Sequence, residues 1–247
     1  GFDKDNIPSG ITNSVTTGSN AGMLLQPPMV KEITVVTTPT NDNTPSYTFK
    51  SSKAGTITYG GNCSSDNTSA TTDNNTITFT TLSDGTYSNC SLYVTTSTGV
   101  KAKTLSVTSF IVDTTVTANF TAVTDNVGSV TGTMTSGNTT DDTSLALSGT
   151  NETGASVKVF NGSTELGSAT VSGTNWSYSS TVANGTTYQL NVKETDLAGN
   201  TSAATSNFAV TGDTSAPTAN FTAATDNIGS VTGTMTSGNT TDDTSLA

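Results

Sequence analysis

Ala118 to Ala146 reads ANFTAVTDNVGSVTGTMTSGNTTDDTSLA, and Ala219 to Ala247 reads ANFTAATDNIGSVTGTMTSGNTTDDTSLA. The two stretches differ only at Val123/Ala224 and Val127/Ile228, and they lie 101 residues apart. Near-identity at that period means one domain copied in tandem. The spacing is too long for a solenoid unit and suits a β-sandwich of about 100 residues. A more divergent copy lies upstream. GTYSNCSLYVTTSTG (Gly85 to Gly99) aligns without gaps to GTTYQLNVKETDLAG (Gly185 to Gly199), while AGTITYGGN matches GASVKVFNG and SVTSFIVDTT matches ATSNFAVTGDTS. The repeats place a first domain at residues 29–113, a second at 114–213 and the start of a third at 214–247. Residues 1–28 read as an N-terminal arm or linker whose short apolar patch is Met23-Leu24-Leu25. A first third of a sandwich cannot bury its own apolar face. The expectation is therefore that residues 214–247 are completed by more of the same chain or by another chain.

Strand positions follow from alternation with a period of two. In the second domain the inward candidates are Phe120 and Ala122, Leu145 and Leu147, Val157 and Val159, Trp176 and Tyr178, then Tyr188, Leu190 and Val192, and Phe208 and Val210. In the first they are Ile33 and Val35, Tyr47 and Phe49, Ile57 and Tyr59, Ile77 and Phe79, Cys90 and Leu92, and Phe110 and Val112. Short strands every 8–12 residues, with Asn-Gly, Asp-Gly and Ala-Gly-Asn turns between them, predict antiparallel sandwiches. No stretch carries a 3.6-residue apolar stripe. The predicted fold class is all-β.

Composition removes whole classes of chemistry. Thr makes up roughly a quarter of the 247 residues, and a β-branched residue at that density favours strand over helix. The chain has no Arg and no His, which excludes His-based catalysis, His-ligated zinc and bidentate Arg clamps on phosphate. Eight Lys against nineteen acids give a formal charge of −11, so the expectation is no nucleic-acid partner. No apolar run approaches the roughly 18 residues of a membrane span, and no membrane insertion is expected. The two cysteines, Cys63 and Cys90, are 27 residues apart. They read either as one disulfide made in an oxidising compartment or as two buried thiols. The acidic, Thr-rich composition favours a secreted protein and hence the bridge.

The string DNVGSVTGTMTSGNTTDDTSLALSGTNETGASVKVF, followed by ETDLAGNTS and GDTSAPTANF, resembles the bacterial immunoglobulin-like tandem repeats of large surface adhesins of the biofilm-associated-protein type. The resemblance is strong over residues 114–247 and looser over 29–113, where TPTNDNTPSYTF, AGTITYGG and SDGTYSNC carry it. It implies tandem immunoglobulin-like sandwiches with a partial third repeat, forming an extracellular stalk on the bacterial cell surface that is often stiffened by calcium at the domain junctions. In that fold Cys90 aligns with Leu190 on strand F, and Cys63 follows strand C four residues past Tyr59. The expected bridge then pins the loop after C to the neighbouring F strand. Trp176, the only Trp, falls on strand E as a core residue.

Catalysis finds no support. No Gly-x-Ser-x-Gly elbow or Ser-x-x-Lys arrangement is present, and the adjacent pair Asp141-Asp142 recurs as Asp242-Asp243. An active site is rarely copied into every unit of a stalk, so the reading is no enzyme. Calcium is the stronger chemistry, since it takes six to eight oxygens and needs neither His nor Cys. The acids are fifteen Asp and four Glu. The loop Asp125 to Asp142 belongs at the bottom of domain two beside Asp213 in the exit linker. Asp113 in the entry linker belongs near Asp196 and Asn200 at its top. Asp113, Asp125, Asp141, Asp142, Asp196, Asn200 and Asp213 are thus the candidate calcium ligands, against the plain reading that Asp and Asn make turns. Domain one has Thr96 and Val100 where domain two has Asp196 and Asn200. The cluster Asp3-Lys4-Asp5-Asn6 is a weaker candidate.

Thirteen Asn-x-Ser/Thr triplets arise by chance in a chain this rich in Asn, Ser and Thr, and Thr is simply the outward residue of the alternation. Three functions remain. The first is a non-enzymatic stalk segment of a surface adhesin, whose partners are further repeats. The second is a protomer of a self-assembling filament or sheath. There the arm or the incomplete repeat pairs with a neighbouring copy by β-strand addition. A carbohydrate-binding module is the third, resting on fold analogy alone.

Overall fold

A computed structural model describes residues 26–230 and 232–244. The arm up to Leu25, with the Asp3–Asn6 cluster and the Met23-Leu24-Leu25 patch, lies outside the described residues. Every regular element described is a β-strand.

The first domain packs two sheets. One holds β1 (Val30–Thr34), β2 (Ser46–Ser51) and β5 (Asp73–Thr78), in the order β1-β2-β5. The other orders β4 (Ser69–Ala70), β3 (Gly55–Gly60), β7 (Ser91–Thr95) and β8 (Leu105–Ser106), while β6 (Gly85–Tyr87) pairs with β9 (Phe110–Val112). Between the sheets Tyr47, Phe49, Phe79 and Phe110 are almost wholly buried. With Tyr87 their rings form a continuous stack, centroids 5.3–6.5 Å apart. Cys63 and Cys90 form a disulfide with a Cα–Cα distance of 5.2 Å. Cys90 sits in the break between β6 and β7, and β3 pairs with β7, so the bridge ties the chain just after one strand to the start of its neighbour.

The second domain repeats the plan with fuller strands. One sheet is ordered β11-β10-β13-β17-β16, from β10 (Ala122–Asp125), β11 (Gly132–Thr133), β13 (Ser144–Thr150), β16 (Thr170–Ser172) and β17 (Asn175–Thr181). Its partner is ordered β12-β19-β18-β14-β15, from β12 (Asn138–Thr140), β14 (Ser156–Asn161), β15 (Thr164–Ser168), β18 (Thr187–Thr195) and β19 (Phe208–Gly212). β12 runs parallel to β19 while the other pairs are antiparallel. The core is aliphatic, with Leu145, Leu147, Val157, Val159, Leu190, Val192 and Val210 around Trp176. The Trp176 indole N–H donates to the Asn119 carbonyl (3.0 Å), and its ring meets Phe120 at 5.7 Å. Gly149 makes this contact possible, since a Cβ there would come within 2.1 Å of the Asn119 oxygen and 2.5 Å of the indole nitrogen.

After the second domain the chain forms the hairpin β20 (Thr225–Asp226) and β21 (Gly233–Thr234). Its register, Thr225 opposite Thr234 and Asp226 opposite Gly233, copies Thr124 opposite Thr133 and Asp125 opposite Gly132. Phe221 is 82% exposed. Its counterpart Phe120 is covered by Trp176 and Phe208, which come from later in the second repeat.

Two inward assignments are corrected. Ile33 and Val35 are exposed, while Val36 is buried. A register shift between Glu32 and Thr34 makes Ile33 the extra residue of a bulge. Glu32, opposite the buried Phe49, lies with Val30 on the half-buried side of β1, where its carboxylate accepts hydrogen bonds from the Tyr47 hydroxyl (3.0 Å) and from the Thr108 amide (2.9 Å) and hydroxyl (2.5 Å). In domain two, Val123 rather than Ala122 is the buried residue of β10. Phe120 packs from the segment ahead of the strand, so the alternation does not run continuously through both.

Candidate cation site at the junction of the two domains

The site is built on the end of β18. Alternation puts Leu190, Val192 and Glu194 on its inner face, and all three are fully buried. Glu194 Oε1 accepts the Glu152 backbone N–H at 2.6 Å, while Oε2, also buried, has no hydrogen-bond partner. A carboxylate in that position carries a full desolvation penalty with only part of it compensated.

Past Glu194 the strand enters the turn Asp196–Asn200. Asp196 N–H donates to the Asn200 carbonyl (3.1 Å), and Asn200 N–H donates to Asp196 Oδ1 (2.8 Å). The Asn200 side-chain amide donates to Asp196 Oδ2 and, across the junction, to the Asp113 carbonyl, both at 2.7 Å. Asp113 belongs to the chain leaving domain one, where its N–H donates to the Thr40 carbonyl (2.9 Å). One side chain of domain two thus holds the last residue of domain one. The result is an acidic cluster, in which Asp113, Glu152 and Asp196 each offer a carboxylate oxygen within 4.8 Å of the others.

Both glutamates respond. Glu152 titrates above the ordinary carboxylate range, first through desolvation and then through the charges of Asp113, Glu194 and Asp196. Glu194 is also raised, chiefly by burial and further by Asp196, against the opposing hydrogen bond from Glu152. The donors are hard oxygens only, three carboxylates converge, and a buried carboxylate oxygen behind them lacks a partner. That set fits a hard divalent cation such as calcium. Asp113, Glu152 and Asp196 would hold it, Asn200 would orient Asp196 and the linker, and the ion would neutralise the like charges.

The structure brings Asp113, Asp196 and Asn200 together. It adds Glu152 and Glu194, which the sequence reading passed over. The signal was there for Glu194, because an acid continuing the inward series Leu190, Val192 stands where only a paired or functional charge is expected. Glu152 lies in a loop with no such periodicity.

The lower candidates form a different arrangement. Asp125 and Asp142 are 6% and 2% exposed. Asp125 accepts from Val127 N–H and the Thr140 hydroxyl, and Asp142 from Ser144 N–H and Asn126 N–H. Their oxygens are engaged in turns and in tying the loop together. Asp141 and Asp213 line one cleft with Asp125, and Asp213 N–H donates to the Thr140 carbonyl at 2.7 Å. Among the described residues the one group of three or more acids gathered within 4.8 Å is that of Asp113, Glu152 and Asp196.

A family of bacterial Ig-like domains matches residues 117–214. The matched stretch is similar to a bacterial Ig-like domain. It supplies four of the five site residues, and Asp113 comes from the linker before it. No curated protein matches the sequence significantly. Among solved structures, the fibronectin(III)-like modules of Clostridium thermocellum CbhA align at 14% identity over 75% of this chain and 94% of theirs, with a TM-score of 0.34. SGBP-B of the Bacteroides ovatus mixed-linkage glucan utilization locus, solved with a mixed-linkage heptasaccharide, aligns at 12% identity over 76% of this chain and 46% of its own, with a TM-score of 0.23. The sialic acid binding region of a Streptococcus sanguinis SK1 adhesin aligns at 10% identity over 76% of this chain and 78% of its own, with a TM-score of 0.24. At these scores none of the three bears on what this chain binds. The likeness to a bacterial Ig-like domain and the disulfide ahead of the matched stretch suggest an extracellular location. Among the described residues no helix is long and apolar enough to cross a membrane.

Proposed function

We propose that this chain is a non-enzymatic stalk segment of a bacterial surface adhesin, in which successive Ig-like domains are joined by cation-bridged junctions. The observation that carries the reading is the linker residue Asp113. Its carbonyl accepts from Asn200, and its carboxylate joins Glu152 and Asp196 of the Ig-like domain. A bound calcium ion would draw the two domains onto one set of ligands and make the joint stiffer. Near-identical copies 101 residues apart support a chain that gains reach by repetition. Its partners in this reading are further repeats of the same kind.

Small-angle scattering of the chain with calcium and with chelator tests the proposal. Calcium should narrow the distribution of overall lengths and raise the melting temperature of domain two. An unchanged scattering curve together with unchanged melting would sink the cation-bridged joint.

A further inference from the structure

A second contact, separate from the acidic cluster, recurs at both linkers. In domain one Asp84 precedes Gly85 in the turn before β6. Its carboxylate accepts from the Thr114 amide (3.1 Å) and hydroxyl (2.8 Å) through Oδ1, and from the Thr115 hydroxyl (3.4 Å) through Oδ2. In domain two Asn184 precedes Gly185 at the aligned position. Its Oδ1 accepts from the Thr214 amide (2.8 Å), and its Nδ2 donates to the Ser215 hydroxyl (2.9 Å). Asp84, Thr114 and Thr115 each lie 100 positions before Asn184, Thr214 and Ser215. The same three-residue contact is therefore built twice, by different side chains, on two domains whose sequences have otherwise drifted apart.

We propose that Asp84 and Asn184 are positioning residues that clamp the first residues of the outgoing linker and so set the direction in which the next domain leaves. The residues just ahead are already fixed. Asp113 N–H is bonded to the Thr40 carbonyl, and Asp213 N–H to the Thr140 carbonyl. Gly212 pairs with Asn184 in a parallel bridge. Holding the next amide and hydroxyl extends that anchorage past the end of the last strand. A charged acceptor is not required, since an amide oxygen does the same at Asn184. What both residues share is a short side chain with an oxygen able to accept a backbone N–H. At the first junction the clamp acts on the residue after Asp113, whose own carboxylate accepts from the Thr115 amide (3.4 Å). Its consequence for the joint rests on the tandem-stalk reading, whereas the contact itself does not.

Amide hydrogen exchange, read by NMR on the full chain without added calcium, separates the two. In Asp84→Ala the Thr114 amide should exchange about ten- to a hundredfold faster, with the core amides of Leu92 and Val94 and the Thr214 amide unchanged. Asp84→Asn should restore protection of Thr114. Asn184→Ala should free Thr214 alone, which keeps the test sound if Asp84→Ala loosens domain one as a whole. Unchanged exchange at Thr114 and Thr214 in the two alanine variants, or an Asp84→Asn variant as unprotected at Thr114 as Asp84→Ala, overturns the clamp. Nitrogen relaxation on the same samples reads the joint. Domains that still tumble independently in the wild type after calcium is added to saturation, while Thr114 stays protected, contradict the stalk reading and leave the clamp in place.

Discussion

The upper ends of the two domains share a backbone and differ in charge. Glu152, Glu194, Asp196 and Asn200 of domain two align with Ser52, Val94, Thr96 and Val100 of domain one, each 100 positions earlier. The turn is preserved, since Thr96 N–H donates to the Val100 carbonyl (3.0 Å) as Asp196 N–H does to that of Asn200 (3.1 Å). Even the contact made by Glu194 has a neutral counterpart. In domain one the Ser52 N–H that aligns with Glu152 N–H finds the Met29 carbonyl of the entering chain (3.0 Å), and Val94 fills the core. The fold therefore does not need acids at this end. Domain two places a buried glutamate and two of the three converging carboxylates where aliphatic and hydroxyl side chains suffice, at a cost in stability that a cation can offset. The difference marks the end of domain two as chemically specialised and that of domain one as plain.

The domains also differ in what holds their cores, and the largest effects test that. Trp176→Ala should destabilise domain two by about 3–5 kcal/mol and leave the calorimetric transition of domain one in place. Two transitions that shift together would mean that the domains do not melt independently. Replacing both Cys63 and Cys90 by Ala should cost domain one about 3–4 kcal/mol and domain two nothing, read from the same calorimetric traces with and without reductant.

Smaller effects address the junction directly. Giving domain two the upper end of domain one, with Glu152→Ser, Glu194→Val and Asp196→Thr, should abolish calcium stabilisation of domain two. In the wild type that stabilisation should be about 2–3 kcal/mol at calcium well above its dissociation constant. In chelator the triple variant should melt above the wild type, because the like charges are gone. A wild type that melts higher in chelator would contradict the account of the acidic cluster.

Acid should act in opposite directions on the two domains. Glu152 and Glu194 titrate above their ordinary value of 4.5 in the folded chain. The native state therefore binds more protons than the unfolded one between 4.5 and the raised values, and in chelator domain two gains stability as the pH falls through that window. Glu32 titrates below its ordinary value. Burial pushes it up, but the Thr108 and Tyr47 hydrogen bonds outweigh that. Its contribution to domain one is present above 4.5 and disappears as the pH falls through its lowered value. Melting curves from pH 7 down to about 3 should show domain two rising first and domain one falling last.

The repeat arithmetic and alternation made the architecture legible, since Leu145, Leu147, Val157, Val159, Leu190 and Val192 are buried as their spacing predicts. Ile33 and Val35 were misplaced because β1 puts Val30 and Glu32 on its half-buried side, and Val36 packs inward only after the strand has ended at Thr34. At the junction, Asp113, Asp196 and Asn200 were recognisable from their place beside linker and turn. Glu194 was hidden by its company, since a strand that reads Leu190, Val192 looks like core until the next inward residue proves to be an acid. Glu152 depends on how the loop before β14 folds toward β18, a contact across 42 positions that no local pattern encodes.

The junction is tested most directly by titrating calcium into the full chain while following the backbone amides by NMR, beside the variant carrying Glu152→Ser, Glu194→Val and Asp196→Thr. The account predicts saturable shifts centred on Asp113, Glu152, Glu194, Asp196 and Asn200 in the wild type and none around those positions in the variant. Amides there that do not respond to calcium, or that respond equally in both proteins, would contradict it.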